Sequence, residues 1–338
     1  MSICQLTAQL PGFRGLFRMR APWRPRATIL SWVPAGHQGE RAVGIKDREA
    51  VLGFLSQNAG LEAPSIAEQR ASIDAIGGFF PVPDGTEVQP ATIGGVKGEW
   101  VRARRVRHDA VLLYLHGGGY VIGSPTSHRH LVAAISEASG LSVFSADYRM
   151  GPEVPFPGAV EDAVAAYKGL LDSGIAPSRL AIAGDSAGGG LTIATLVALR
   201  DRKIPLPATA VALSPWVDLT GSGESMRTRA SRDPMIKHEH IGKMAGAYLG
   251  GADPKTPLAS PIFADLKGLP PLLIQVGTEE TLYDDTTRLA ARANDAGVEV
   301  SVEYWGGMVH VFQLFHPILS EGRDAVQRIG SYLKAHID

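Results

Sequence analysis

The pattern of apolar and polar positions changes along this chain, and the changes predict its secondary structure. From residue 111 onwards, runs of consecutive apolar residues are followed by longer segments with apolar residues at helical spacing. Runs that are apolar at every position are typical of strands buried on both faces of a parallel sheet. The predicted strands are residues 111–115, 141–146, 180–183, 208–213, 272–276 and 298–304. The predicted helices are residues 127–138, 158–171, 187–200, 284–296 and 319–335.

This order of elements predicts the fold class and the division of the chain. Strands that alternate with helices indicate an α/β fold with a mostly parallel central sheet flanked by helices. Active sites in such sheets lie beyond the carboxyl ends of the strands. Residues 221–260 have a helical pattern but no strand, so we interpret them as an insertion that forms a helical cap. The predicted division is a leader (1–45), cap helices (46–82), a core in two parts (83–220 and 261–338) and the cap insertion (221–260).

The segment before residue 111 has a different pattern. A short helix is predicted at residues 47–57, and a second begins at Ser65, where Glu68 has the spacing of a capping box. Residues 88–93 and 99–104 are separated by a Gly-Gly pair and predict a hairpin.

Composition limits the class of protein. Of the 338 residues 45% are hydrophobic and 20% charged, with a formal net charge of −1, so no nucleic-acid partner is indicated. Cys4 is the only cysteine, which excludes an internal disulfide. No stretch reaches the roughly 18–20 apolar residues that span a bilayer, so we expect no stable membrane insertion and a cytoplasmic location. Residues 1–45 are rich in arginine and have no acid before Glu40. We interpret them as a disordered leader, with a targeting or membrane-surface role as the alternative.

A candidate nucleophile follows the predicted strand at residues 180–183. Gly184, Ser186 and Gly188 match the pattern G-x-S-x-G between an apolar strand and an apolar helix. Glycines are needed two residues either side of the serine because side chains there would collide in the strained turn. The turn places the serine at a helix N-terminus, where the helix dipole favours developing negative charge.

A glycine run supplies a candidate oxyanion hole. Three glycines lie between His116 and Tyr120, directly after a predicted strand. They let the backbone approach a bound carbonyl, and the expected donors are the amides of Gly118, Gly119 and Ala187. A phosphate-binding loop is the competing interpretation, but the Lys-Ser/Thr pair that such a loop needs is missing. His116 suits a hydrogen bond that braces the loop.

The serine needs a base, and the base needs a carboxylate. In this fold the chain order is serine, acid, histidine, and His310 follows the last predicted strand where that order requires the base. The strand-end loop favours Glu279 or Glu280 as the acid, and helix capping is expected of the other acids. The candidate carboxylates are Glu279, Glu280, Asp284 and Asp285. Spacing alone does not choose between the two glutamates.

Together these residues resemble the hormone-sensitive-lipase-like family of α/β-hydrolase esterases, from roughly Val88 to the end of the chain. The motifs that carry the resemblance are His116-Gly-Gly-Gly-Tyr120, Asp147-Tyr-Arg-Met-Gly-Pro-Glu-Val-Pro-Phe-Pro157, Gly184-Asp-Ser-Ala-Gly188 and Gly307-Met-Val-His310-Val-Phe312.

The resemblance implies further roles. The family's catalytic acid begins an acid-x-Leu-x-Asp motif, which falls here on Glu280 to Asp284, although family members usually have Asp at the first position. Glu280 is therefore the implied acid, and Asp284 a supporting or helix-capping carboxylate. The family also implies a cap built from N-terminal helices and homodimers that form through a sheet edge. We expect Asp185 to brace the turn at Ser186, and Arg149 and Glu153 to belong to a structural ion pair and turn.

The predicted function is a serine carboxylesterase that hydrolyses short- to medium-chain esters through an acyl-enzyme on Ser186. The alternatives are a lactone hydrolase, a deacetylase or an acyltransferase with the same triad, and a non-catalytic receptor. We expect Tyr120, Trp216 and Phe312 to line the substrate pocket. The partner expected is a small-molecule ester. We expect no cofactor and no metal, because the pairs His128/His130 and His238/His240 lack a third ligand.

Overall fold

The structure, a computed structural model, describes residues 43–57 and 65–337 of the 338-residue chain. The predicted leader lies outside the described residues, apart from its last three positions, which belong to a helix. Within the described ranges, no helix is both long enough and apolar enough to cross a lipid bilayer.

An eight-stranded sheet forms the centre of the described chain. Its strands are β1 (Glu87–Ile93), β2 (Val96–Arg102), β3 (Arg107–Leu115), β4 (Leu141–Ala146), β5 (Leu180–Asp185), β6 (Thr209–Leu213), β7 (Leu272–Gly277) and β8 (Val300–Trp305). They lie in the order β1-β2-β4-β3-β5-β6-β7-β8, and β3 to β8 pair in parallel. β2 pairs antiparallel with both β1 and β4. The mostly parallel sheet predicted from the sequence is confirmed.

Helices cover both faces of this sheet. They are α1 (Val43–Gln57), α2 (Ile66–Phe79), α3 (Pro125–Ser139), α4 (Gly158–Asp172), α5 (Ala187–Asp201), α6 (Ser225–Thr228), α7 (His238–Leu249), α8 (Tyr283–Asp295) and α9 (Ser320–His336). Successive side chains of a strand point to opposite faces. Along β3, Leu112 and Tyr114 therefore pack in one apolar cluster with α3 and α9, while Leu113 and Leu115 pack in another with α4 and α5. A strand buried on both faces must be apolar at consecutive positions, as this one is.

The hairpin predicted before residue 111 is present as β1 and β2, with Ile93 paired to Val96 across the two turn glycines. The second strand begins three residues earlier than predicted. The last strand begins two residues later, at Val300, because the N–H of Val298 bonds to the carbonyl of Ala293 and closes the end of α8.

Helix α2 is fastened to the core beside the predicted oxyanion loop. The Arg70 guanidinium donates to the carbonyl oxygens of Val121 (2.8 Å) and Gly151 (3.0 Å). It also pairs with the Glu153 carboxylate at 2.8 Å. Arg149 instead pairs with Asp162 of α4. Arg149 and Glu153 therefore belong to two separate ion pairs. Arg149 pairs with α4, and Glu153 pairs with α2.

Candidate active site

Ser186 occupies the sharp turn between β5 and α5. Its backbone has φ 52° and ψ −120°, a left-handed conformation that L residues rarely adopt. The turn brings the start of α5 against the end of β3, and a Cβ added to Gly188 would lie 1.9 Å from the carbonyl oxygen of Leu115. Glycine is therefore required there by contact between two backbones. The side chain of Ser186 faces a cavity at the carboxyl ends of the strands.

His310 connects Ser186 to Glu280. Its Nε2 lies 2.9 Å from the Ser186 Oγ, and its Nδ1 lies 2.8 Å from the Glu280 Oε2. Of the four candidate carboxylates, Glu280 is the one that reaches the imidazole; the neighbouring Glu279 points to Arg232, at 3.6 Å. The ring and the glutamate are both buried.

The Glu280 carboxylate is held from its other oxygen as well. Oε1 accepts hydrogen bonds from the N–H of Gly277 (2.6 Å) and the hydroxyl of Ser214 (2.7 Å). The Ser214 oxygen in turn accepts the N–H of Val311, next to the histidine, at 3.1 Å. Ser214 was not predicted from the sequence; its position at the end of a strand beside the one that carries the acid is the signal that would have found it.

Burial and the carboxylate act in opposite directions on His310. Burial opposes a charged imidazole, but the hydrogen bond and the negative charge of Glu280 outweigh it and raise the pKa of His310 above its usual value. An imidazole with such a partner accepts a proton from the serine more readily.

The glycine loop after β3 lies on the wall of the same cavity as Ser186. Gly118 has φ +112°, and a Cβ there would meet the carbonyl oxygen of Ile122 at 2.1 Å, so only glycine fits. Gly119 lies next to it on the cavity wall. Ala187 begins α5, so its N–H belongs to the first helical turn, where no carbonyl of the helix accepts it.

A buried network centred on Asp185 holds this loop. One carboxylate oxygen accepts the Tyr114 hydroxyl (2.8 Å) and the N–H of Gly117 (3.0 Å), and the other lies 3.2 Å from the His128 Nε2. Burial opposes the charge on Asp185, but His128 outweighs it and lowers the pKa of the carboxyl. Asp185 therefore braces the turn and the glycine loop, as expected.

The other predicted loop residue, His116, belongs to the same region. Burial lowers its pKa to about 3, so its ring is neutral. Its Nδ1 lies 2.8 Å from the carbonyl oxygen of Gly117, and its ring stacks on Tyr148 at 4.4 Å. These contacts agree with a bracing role rather than a direct role at the serine.

The cavity in front of Ser186 measures about 510 Å³ and is mostly apolar. Helix α2 supplies part of its wall, and α7, with the residues before it, supplies another part. The apolar residues that line the cavity are Ile66, Ile73, Val121, Ile122, Trp216, Met235, Ile236, Ile241, Met244, Ala247, Val311 and Leu314. Trp216, predicted for the pocket, lies on this wall.

Tyr120 and Phe312, also predicted for the pocket, lie elsewhere. Tyr120 is 1% exposed and stacks on Tyr248 with ring centroids 3.9 Å apart. Phe312 is fully buried and packs on Trp305 at 5.3 Å. Their chain neighbours Val121 and Val311 line the cavity instead.

The acids after Glu280 also differ from their predicted role. Asp284 and Asp285 lie in the first turn of α8, but their side chains do not cap that helix. Asp284 accepts the N–H of Ser225 at 2.8 Å, and Asp285 accepts the N–H groups of Val217 and Asp218, each at 2.9 Å. Burial raises the pKa of Asp285 to about 8. Both carboxylates tie α8 to the segment that follows β6.

A family model described as the alpha/beta hydrolase fold matches residues 112–314, which contain every catalytic candidate above. The chain belongs to that family. Within it, the chain is a member of the hormone-sensitive-lipase-like esterases, as the sequence motifs predicted, because its structural neighbours are esterases of that group.

Similar proteins support the same assignment for this α/β-hydrolase. An acetyl-hydrolase of Streptomyces hygroscopicus is 49% identical over 84% of this chain and 93% of its own length. An esterase of Acinetobacter venetianus is 32% identical over 78% of this chain and 87% of its own length. The crystal structure of an esterase from the bacterial hormone-sensitive lipase family superposes with a TM-score of 0.85, at 47% identity, covering 87% of this chain and 99% of the other. The protein is a carboxylic-ester hydrolase.

Proposed function

We propose that this hydrolase is a serine carboxylesterase that cleaves short- to medium-chain esters through an acyl-enzyme on Ser186. The observation that carries the proposal is the position of His310, whose two ring nitrogens lie within hydrogen-bond distance of Ser186 and Glu280. This is the arrangement that nucleophilic catalysis by a serine requires.

The proposed reaction has two steps. His310 accepts the Ser186 proton while the oxygen attacks the ester carbonyl, and the N–H groups of Gly118, Gly119 and Ala187 stabilise the oxyanion. The protonated imidazole then donates to the departing alcohol, which leaves the acyl group on the serine. Water, deprotonated by the same histidine, attacks the acyl-enzyme and releases the carboxylic acid. Glu280 fixes the tautomer of the imidazole and stabilises its charged form.

The shape of the cavity supports the proposed chain length. A volume of about 510 Å³ between α2 and α7 is of the size that holds a small ligand, and its walls are mainly aliphatic and thioether side chains. Such walls favour an apolar acyl chain of limited length. We propose that α2 and the insertion at residues 221–260 together form the cap that encloses it.

The test is the hydrolysis of p-nitrophenyl esters from acetate to palmitate by the wild type and by Ser186→Ala. We expect turnover of the short and medium esters, and a fall in kcat of about 10⁶-fold in the variant. Ser331→Ala, which changes an exposed serine on α9, is the control and keeps full activity. A wild type inert across the whole series would refute the esterase and favour a receptor or a narrow lactone hydrolase. Ester products formed with added alcohols, in preference to the free acid, would instead indicate an acyltransferase.

We also propose that two copies associate through a sheet edge. The sheet ends in β1 on one side and β8 on the other, and an edge strand has backbone groups available for a second strand. Light scattering after gel filtration tests this: a mass near twice 35.8 kDa supports the dimer, and the monomer mass refutes it.

A further inference from the structure

The cap insertion contacts the loop that carries the triad acid. We call residues 278–284, which surround Glu280, the acid loop. Arg229 of the insertion donates to the carbonyl oxygen of Thr278, and its guanidinium lies 3.6 Å from the centre of the Tyr283 ring. These contacts hold the acid loop at its two ends. They join segments about 50 positions apart in the sequence.

The middle of the acid loop is held from two directions. The hydroxyl of Ser225 donates to the carbonyl oxygen of Thr281 at 2.6 Å. The carboxylate of Asp233 accepts the N–H of Thr281 at 2.8 Å and its hydroxyl at 3.1 Å. Thr281 immediately follows Glu280 and is itself buried. Both backbone polar groups of the residue next to the triad acid are therefore bonded to the insertion.

Asp233 also fixes part of the cavity wall. Its second oxygen accepts the N–H groups of Met235 (2.9 Å) and Ile236 (3.0 Å), two residues that line the cavity. Asp233 accepts four hydrogen bonds, two from the acid loop and two from the cavity wall, and has no exposed surface. A buried carboxylate is costly unless its partners satisfy it, so such a residue specifies one arrangement of the segments it joins.

We propose that Asp233 is a positioning residue for the reaction: it fixes Glu280 against His310 through Thr281, and it ties the cavity wall to that geometry. The inference rests on the proposed role of Glu280. The insertion would then help to position the triad, in addition to lining the cavity. A displacement of the cavity wall at Met235 or Ile236 would then displace Glu280 as well, because the wall and the acid loop are both bonded to the Asp233 side chain.

The charge of Asp233 gives this role a second consequence. Burial opposes a charge on the His310 imidazole, and the ionisable groups that most favour the charge are Glu280 of the acid loop, Asp233 of the insertion and Asp185 at the end of β5. Each of these carboxylates favours the protonated ring. Removal of the Asp233 charge should therefore make His310 easier to deprotonate.

The test variant is Asp233→Asn, which keeps the size of the side chain but places an NH₂ group where acceptors are needed. We expect kcat for p-nitrophenyl butyrate to fall about 10- to 100-fold, because small displacements of catalytic groups have effects of that size. We also expect the acid limb of the kcat/KM profile to move to lower pH. Titration with diethyl p-nitrophenyl phosphate, which releases one p-nitrophenol per reactive serine, puts kcat on a per-site basis.

The matched control is Asp253→Asn in the same insertion. Asp253 is exposed, and its Oδ1 accepts the N–H of Lys255 at 2.9 Å, the same local bond that Asp233 makes with Met235. The control should keep wild-type kcat and pH profile. If Asp233→Asn loses thermal stability but keeps both values per active site, Asp233 has a structural role alone and the proposal is overturned.

A second variant tests the proposal in case Asp233→Asn does not fold. The double change Ser225→Ala and Thr281→Val leaves all charges in place but removes three hydrogen bonds of the acid loop: Ser225 to the Thr281 carbonyl, the Asp284 N–H to Ser225, and the Thr281 hydroxyl to Asp233. We expect kcat to fall by about fivefold or more, the equivalent of one hydrogen bond, with the acid limb unmoved; unchanged kcat overturns the proposal.

Glu280→Gln, measured in parallel, separates the two proposals. Wild-type activity in that variant would refute the role of Glu280 and the inference with it. Loss of activity there, with none in Asp233→Asn, would refute the inference alone.

Discussion

Two buried histidines line the same cavity and each pairs with a buried carboxylate, yet they differ in what the second nitrogen of the imidazole contacts. In the pair His310–Glu280, the free ring nitrogen lies 2.9 Å from the Ser186 Oγ. In the pair His128–Asp185, it lies 2.8 Å from the hydroxyl of Ser127, the adjacent residue on α3. The first imidazole contacts the proposed nucleophile, whereas the second contacts only the side chains of Asp185 and Ser127. Pairing and burial alone therefore do not identify a catalytic histidine.

The two pairs are also supported by different parts of the chain. Asp185 is held by Tyr114 of β3 and by the glycine loop, both within the core. The residue after Glu280 is held by the insertion, through Asp233 and Ser225. Ser186 and the glycine loop thus depend on the sheet, while Glu280 depends in part on the insertion. Variants of each pair should separate catalysis from stability.

The largest effect is expected for Glu280→Gln. The amide can still accept from Gly277, but its NH₂ group faces the His310 Nδ1 and forces the other tautomer, so the base no longer accepts the Ser186 proton. We expect kcat to fall about 10⁴-fold, the size of effect known for an amide in place of a triad carboxylate. Steady-state hydrolysis of p-nitrophenyl butyrate measures it. Glu279→Gln is the control; equal losses in both variants would contradict the assignment of the acid.

His128→Leu should affect stability more than chemistry. It leaves the buried Asp185 charge without its partner, which costs about 3–5 kcal/mol in the free energy of unfolding. Because Asp185 raises the pKa of His128 in the folded state, this pair stabilises fully below the unfolded value of about 6.5 and loses its effect as pH rises through the folded pKa.

Urea unfolding at pH 5.5 and pH 9 measures this difference, with the exposed His108→Leu as the control. The loss caused by His128→Leu should be larger at pH 5.5. A loss of the same size at both pH values would mean that the imidazole is neutral in the folded protein.

The pH dependence of kcat/KM in the wild type should depend on the pair His310–Glu280. The base must be neutral to accept a proton, so kcat/KM falls as pH drops through the pKa of His310. Since Glu280 raises that pKa, the midpoint of the acid limb is expected above about 6.5. A pH–rate profile at constant ionic strength measures it, with residual folded protein checked at each pH. A midpoint below that value would show that burial outweighs the carboxylate.

The smallest effect is expected for Asp185→Asn. The amide oxygen can accept from Tyr114 and Gly117, while its NH₂ group donates to a neutral His128, so every hydrogen bond has a substitute. We expect kcat within about tenfold of the wild type, because neutral hydrogen bonds replace charged ones of moderately greater strength. Asp185→Ala, which leaves these donors unpaired, should lose more. Equal losses in the two variants would mean that charge, rather than bonding, is what the loop requires.

Local patterns were sufficient for much of the fold and for part of the site. The buried strands are apolar at consecutive positions, and the turn around Ser186 has its glycines where backbones meet, so both are readable within a few residues. His310 was predicted from chain order. Glu280 needed the family resemblance, because two adjacent glutamates follow the same strand and only the folded loop decides which one faces the histidine.

Contacts between distant segments explain what the sequence did not predict. Tyr120 and Phe312 each end one of the motifs and are predicted for the pocket wall, but in the structure their neighbours Val121 and Val311 line the cavity. Asp284 and Asp285 begin a helix as capping residues do, yet their partners lie 59 to 68 positions earlier in the chain. The bonds that Asp233 accepts from Met235 and Ile236 are local, but its bonds with Thr281 join positions 48 residues apart. Its role depends on an encounter between the insertion and the acid loop that no spacing encodes.

The contact between backbones at Gly188 has a consequence for engineering this enzyme. In a mutant library that varies this position, or the equally constrained Gly118, most members could not form the turn or the loop. The aliphatic positions that α2 and α7 present to the cavity are not packed against a glycine of that kind, whereas Met244 of α7 lies against Gly119. Diversity confined to residues such as Ile66, Ile73 and Ile241 would explore substrate preference without changing a contact of the glycine loop.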